Sequence, residues 1–297
     1  MGGKEGIMIN GAKIKMLASM CIFGTVGIFV RYIPMSSAAI AFCRGALGCV
    51  FLLAFMVITG RKLSGGDIKK NLLVLCLSGA AIGGNWILLF EAYRYTTVAT
   101  ATVCYYLAPV FLLIASAFMG ERLTAKKLVC IAVALLGMVF VSGVVKGGSP
   151  KAGELTGIAL GVGAAVLYAT VMVLNRKLAG MGAYDKTTVQ LGVAAVVILP
   201  YYLLTRGDSV SILSVNSGTL LLLVVGILHT GVAYTMYFGA MGELKSQTVA
   251  VFSYLDPVVA VLLSALLLKE PMDGYGIAGA VLILGSALYS EIPQQKR

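Results

Sequence analysis

The chain has 297 residues, of which 59% are hydrophobic and 12% charged, with a formal net charge of +11. Soluble domains carry roughly 25% charged residues, so this composition excludes a water-soluble globule and fits an all-α integral membrane protein. The positive balance does not point to nucleic acid either, because the basic residues fall in short loops between apolar runs, where they read as topology signals.

Lys4, Lys13 and Lys15 open the chain and the first apolar run spans 14–32. Reading that run as a cleaved signal sequence would leave nine spans and an unmatched half, so it is taken as the first span. Further runs follow at 36–59, 71–93, 96–119 and 125–144. After a glycine-rich linker at 146–153 come 154–175, 184–205, 218–239, 244–268 and 273–290. At 1.5 Å per residue each can cross a hydrocarbon core of about 30 Å, which gives ten transmembrane helices. With the amino terminus inside, about 16 basic residues, among them Arg61, Lys70, Lys127, Arg176 and Lys245, fall on the cytoplasmic side and about six on the other. Both termini are therefore expected in the cytoplasm.

The stretch from Phe90 to Glu121 occurs twice. Sliding it by 148 positions lays Tyr106-Leu107-Ala108-Pro109-Val110 over Tyr254-Leu255-Asp256-Pro257-Val258, and sets Thr100, Val103 and Ser116 on Thr248, Val251 and Ser264. The chain thus divides into a five-helix unit at 1–145, the linker, and a second five-helix unit at 154–297. Five spans is an odd number, so the second unit enters the bilayer from the opposite side and the repeat is inverted. That geometry underlies alternating access in carriers. Pro109 and Pro257 each remove a backbone donor in mid-run and are expected to break their helices at equivalent points. Paired breaks of this kind point to a binding site near the midplane, although each proline could instead only shape packing.

An ionisable group within a span costs at least about 2.5 to 3.5 kcal/mol, so each needs a partner, a wet cavity or a function. Asp256 stands directly before Pro257, where its repeat mate is Ala108. It is the first candidate to hold a substrate amine or a transported proton; the alternative is a structural pair with an arginine. Arg44 is a candidate partner for Asp256 or for a substrate carboxylate, or a structural cation. Glu91, beside Arg94, reads as an interfacial charge or a coupling group. The aromatic and amide candidates for substrate binding are Asn85, Trp86, Tyr105, Tyr106, Tyr168, Asn175, His229, Tyr234, Tyr237 and Tyr254, which would bind by stacking, cation–π contact or polar edges, or else serve as packing and belt residues. Tyr168, Met172 and Asn175 share one helical face. The six cysteines, Cys21, Cys43, Cys49, Cys76, Cys104 and Cys130, lie in first-half spans without CxxC spacing, and there is one histidine. No metal centre, disulfide framework or cofactor is expected.

Phe90-Glu91-Ala92-Tyr93-Arg94-Tyr95-Thr96-Thr97, Tyr106-Leu107-Ala108-Pro109 and Gly120-Glu121-Arg122-Leu123-Thr124 resemble the EamA half of the drug/metabolite transporter superfamily. Tyr254-Leu255-Asp256-Pro257 and Lys269-Glu270-Pro271 are similar to the same elements, although Pro109 to Glu121 is one residue shorter than Pro257 to Glu270. The resemblance implies a ten-helix, two-repeat carrier of a bacterial inner membrane, exporting amino acids or other small metabolites, often with proton exchange. It also implies a central cavity lined by helices 1, 3, 4, 6, 8 and 9. The related small multidrug carriers use a glutamate in helix 1, where this chain offers only Ser19 and Thr25.

The expected function is therefore secondary transport of a small molecule within a lipid bilayer, by a chain that works as a monomer and takes no nucleic acid. A passive channel is the alternative. A membrane-embedded enzyme is the third class, and the sequence offers it no paired carboxylates, metal cluster or activated nucleophile.

Overall fold

The computed structural model describes residues 2–119, 124–141, 152–178, 180–205, 217–241, 243–244, 246–270 and 272–291, and these form helices and short connections with no strand. Glu121 and its neighbours at 120–123, the linker residues 146–151, and Pro271 lie outside the described residues.

Helices α1 (Gly2–Tyr32), α2 (Ser37–Ile58) and α4 (Leu72–Tyr95) cover the first three expected runs, with a short unexpected helix α3 (Gly65–Lys70) between the last two. The fourth run is divided into α5 (Val98–Tyr105) and α6 (Ala108–Phe118), and α7 (Ala125–Val141) covers the fifth. In the second half, α8 (Ala152–Lys177) and α9 (Ala183–Thr205) are continuous. The eighth run is α10 (Ser217–Gly226), a π-helical segment Ile227–Val232, and α11 (Ala233–Met241). The ninth is α12 (Ser246–Ser253) followed by α13 (Leu255–Leu267), and the last is α14 (Gly274–Glu291).

Among the described residues seven segments are long and apolar enough to cross a membrane, counting α5 with α6 and α10 with α11 as one each; Leu255–Leu267 and Gly274–Ser290 are shorter apolar helices. The bundle hides polar groups and shows apolar ones. Ser19, Arg44, Asn85, Gln190 and His229 are buried, whereas Phe118, Leu204 and Ile58 are more than four-fifths exposed. A soluble fold does the reverse, and a lipid solvent accounts for this arrangement.

The proline interruptions fall earlier than the prolines themselves. Pro109 has no N–H to offer the Tyr105 carbonyl and its ring crowds that oxygen, so α5 ends at Tyr105 and Pro109 sits in the first turn of α6, where a missing donor costs nothing. Pro257 likewise lies in the first turn of α13, after a break at Tyr254. The interruption expected at each proline is thus corrected to Tyr106–Leu107 and to Tyr254, about one turn upstream.

Close approach at two places depends on glycine. A Cβ on Gly24 would lie 2.7 Å from the Asp256 carbonyl oxygen and 2.6 Å from Val259 Cβ, so only glycine lets α1 rest on the start of α13. Gly137 and Gly279 face each other: a Cβ on the first would meet the Gly279 carbonyl at 2.8 Å, and one on the second the Gly137 carbonyl at 2.6 Å. This small-residue seam is the contact between α7 and α14.

Candidate functional site

The two interruptions bring residues from the two halves together. The Tyr106 hydroxyl, at the end of α5, donates to Asp256 Oδ2 at the start of α13 over 2.6 Å. Among the described residues, the Asp256 carboxylate forms no ion pair. Beside it lies a cavity of about 380 Å³ walled by Tyr105, Tyr106, Tyr168, Tyr237 and Tyr254, with Ala108, Pro109, Met172, Met241, Val249 and Ser253 completing the lining. Its volume falls in the range of small-molecule pockets. Tyr105 stacks on Tyr168 with ring centroids 5.1 Å apart and meets Tyr106 edge-on at 5.7 Å, while Tyr106 and Tyr254 tilt together at 6.3 Å. The cavity runs from the interruptions toward the end of the bundle where α8 and α11 finish.

Arg44 sits deeper. It is 6% exposed, its Nε donates to the Thr230 hydroxyl at 3.0 Å, and its guanidinium lies 4.5 Å over the Trp86 ring and 5.8 Å from that of Phe90. Tyr234 packs against it and against Phe23. Arg44 is within electrostatic reach of Asp256 but does not line the tyrosine cavity. Thr230 and His229 belong to the π-helical segment, whose extra residue per turn swings them toward α2 and α1. His229 is fully buried, with Nε2 2.8 Å from the Thr25 hydroxyl.

Of the residues singled out from the sequence, Tyr105, Tyr106, Tyr168, Tyr237 and Tyr254 wall one cavity, Pro109 lines it and Asp256 adjoins it. Others are placed elsewhere, as ties between helices. Asn85 donates to the Ala164 carbonyl at 2.6 Å, joining α4 to α8. Asn175 accepts from Gln190 at 2.7 Å, and Gln190 also donates to Ser78 at 2.7 Å. Glu91 accepts from the Ser37 hydroxyl at 2.6 Å, away from Asp256. Pro257 is buried and shapes α13 without lining the cavity.

The opposite end of the bundle holds a polar cluster that sequence reasoning did not assemble. Glu270 Oε1 pairs with Arg31 at 3.2 Å, and its Oε2 accepts from the Val98 N–H at 2.9 Å and the Ser264 hydroxyl at 2.7 Å. Arg31 also donates to the Tyr93 carbonyl. One carboxylate therefore ties α1, α13 and the first turn of α5. Glu270 caps a helix start where negative charge is favoured, and its side chain is 11% exposed. The repeat mate of Ser264 is Ser116, which accepts from Arg176 at 3.2 Å at the other end of the bundle. The repeat identity of the two serines was the available signal. A second hollow, of about 560 Å³, opens beside the Glu270 cluster between Arg31, Arg94, Ser36 and Tyr93.

The EamA-like transporter family model matches residues 12–143 and again 155–290. A Bacillus subtilis (strain 168) protein named as the uncharacterized transporter YxxF is 28% identical over 287 residues, covering 96% of this chain and 90% of its own length. The threonine/homoserine exporter RhtA of Salmonella typhimurium (strain LT2) is 25% identical over 254 residues, covering 84% and 80%. A solved crystal structure shares the fold, with a TM-score of 0.63 over 95% of this chain and 96% of that one at 20% identity.

Proposed function

This chain belongs to the EamA-like transporter family, and on that premise we propose that it is a secondary carrier, exporting amino acids or related small amines and metabolites across a bacterial cytoplasmic membrane by alternating access. It takes ten spans in two inverted five-helix units, at 1–145 and 154–297, with both termini in the cytoplasm. Proton exchange is the proposed coupling, and the chain works as a monomer.

The observation that carries this reading is the bond from Tyr106 in one half to Asp256 in the other, made where both halves interrupt a span. A site shared by two repeats alternates its access when one repeat rocks against the other. The proposed orientation puts the tyrosine cavity on the cytoplasmic side of the interruptions. The Arg31–Glu270 cluster then closes the external side, and Arg176–Ser116 is its counterpart at the internal side. The exporter direction and the amine-bearing substrate are supported by the name of the relative RhtA and by the acid beside the cavity.

Counterflow tests the proposal. Proteoliposomes preloaded with an unlabelled substrate should accumulate the labelled form transiently above equilibrium. Simple equilibration without that overshoot would instead support the channel reading, because a channel has no site that must reorient.

A further inference from the structure

The cavity is asymmetric in charge. Five tyrosine rings form its walls, and among the described residues lining it there is no lysine, arginine or histidine. Asp256 stands against this wall with Oδ2 bonded to Tyr106, is part-exposed, and forms no ion pair among the described residues. The nearby cation, Arg44, does not line the cavity; its guanidinium lies over Trp86 and interacts with Tyr234, and its Nε is engaged by Thr230. A ligand in the cavity thus meets π faces, neutral hydroxyls and one carboxylate, and among the described lining residues it meets no cation to pair with an anion of its own.

Electron-rich ring faces attract a cation, more strongly where water is excluded, and a carboxylate adds a directional acceptor for N–H donors. A ligand carboxylate placed here would exchange its hydration for neutral hydroxyl donors alone, with no cation to balance it, and would face the charge of Asp256. We infer that the site selects an organic ammonium ion, read by Asp256 and the tyrosine cage, and gives a carboxylate no cationic partner. Amines that lack the acid group, or carry it as an ester, then outbind the parent amino acids. This deepens the carrier reading above and rests on it for the location of the site.

Phenethylamine, L-phenylalanine and 3-phenylpropionate share one ring and differ in charge, so they isolate the recognised group. Titrated against the purified full chain by calorimetry, phenethylamine should bind at least about tenfold more tightly than phenylalanine, with phenylpropionate weakest. Asp256→Asn should weaken the amine by at least about tenfold, and Asp256→Glu should restore part of that loss. Tyr168→Leu should weaken the amine severalfold while the carboxylate remains in place, which gives a second test should Asp256→Asn fail to fold. Equal or tighter binding of phenylalanine, or an amine affinity unchanged in Tyr168→Leu and Asp256→Asn, would overturn the inference. The carrier reading fails separately: amine binding without counterflow removes transport and leaves the site, whereas counterflow of another metabolite with no amine binding removes the site's selectivity and leaves transport.

Discussion

Arg31 and Glu270, 3.2 Å apart, join the last turn of α1 to the residues just beyond α13, and the same carboxylate caps α5 through the Val98 N–H. Three helices that come from both halves of the chain converge on one acidic group. Replacing Glu270 by Ala leaves Arg31 without its counter-charge and Val98 without its acceptor, a loss of about 1–3 kcal/mol from the closed arrangement of that end. The expected result is faster labelling by an external maleimide of a cysteine introduced at Thr102, one turn below Val98, in a background without the native cysteines. Glu270→Gln retains an acceptor and should give a smaller increase. Unchanged labelling in both variants would mean that the cluster does not hold this end shut.

Tyr106→Phe removes the hydroxyl that donates to Asp256 and leaves the ring in the cavity wall. A hydrogen bond to a charged group contributes about 1.5–3 kcal/mol. Transport is expected to fall by roughly tenfold or more by that measure, and the unfolding temperature should drop by several degrees because the same bond is lost from the folded state although the ring still packs. Initial rates in proteoliposomes and an unfolding scan of the same preparation decide it.

Arg44 is matched to its place by shape as well as by charge, with a planar guanidinium over Trp86 and a donor to Thr230. Lysine keeps the charge but neither the stacking plane nor the fork of donors. Arg44→Lys should therefore behave as a loss of function. Trp86 is the chain's single tryptophan, so its emission spectrum reports the change directly, and a spectrum identical to that of the parent would argue against the stacked geometry.

Substituting leucine for Gly137 places a side chain where the Gly279 carbonyl now stands, 2.8 Å from the Cβ position. The seam between α7 and α14 cannot close around it, and overpacking costs about 1–3 kcal/mol. The yield of folded protein should fall. The ligand affinity of the surviving fraction should not, because α7 and α14 contribute no residue to the tyrosine cavity.

Topology is open to a direct check. Single cysteines placed near the amino terminus and near the carboxyl terminus should both be labelled only from the cytoplasmic side, as the proposed orientation, drawn from the distribution of lysine and arginine between the loops, requires. Termini on opposite sides would break the paired five-span arrangement.

The sequence by itself determined a good deal: the membrane environment, the helical class, the duplication, and a short list of ionisable groups within the apolar runs. These are properties of composition and spacing, and a bilayer permits so few backbone solutions that composition alone selects among them. It also drew attention to Tyr106 and Asp256, because a proline that cannot donate leaves its mark at a fixed distance along the chain. Which polar groups face the cavity was decided only by tertiary structure. Asn85, Asn175 and His229 looked as suitable as Tyr168 in one dimension, yet each is taken up by a partner on another helix: Ala164, Gln190 and Thr25. The Glu270 cluster was hidden for the same reason. Arg31 and Val98 lie far from Glu270 along the chain, and in the apolar interior of a bundle a polar atom goes to whichever partner the packing brings within hydrogen-bonding distance, a relationship no spacing rule encodes.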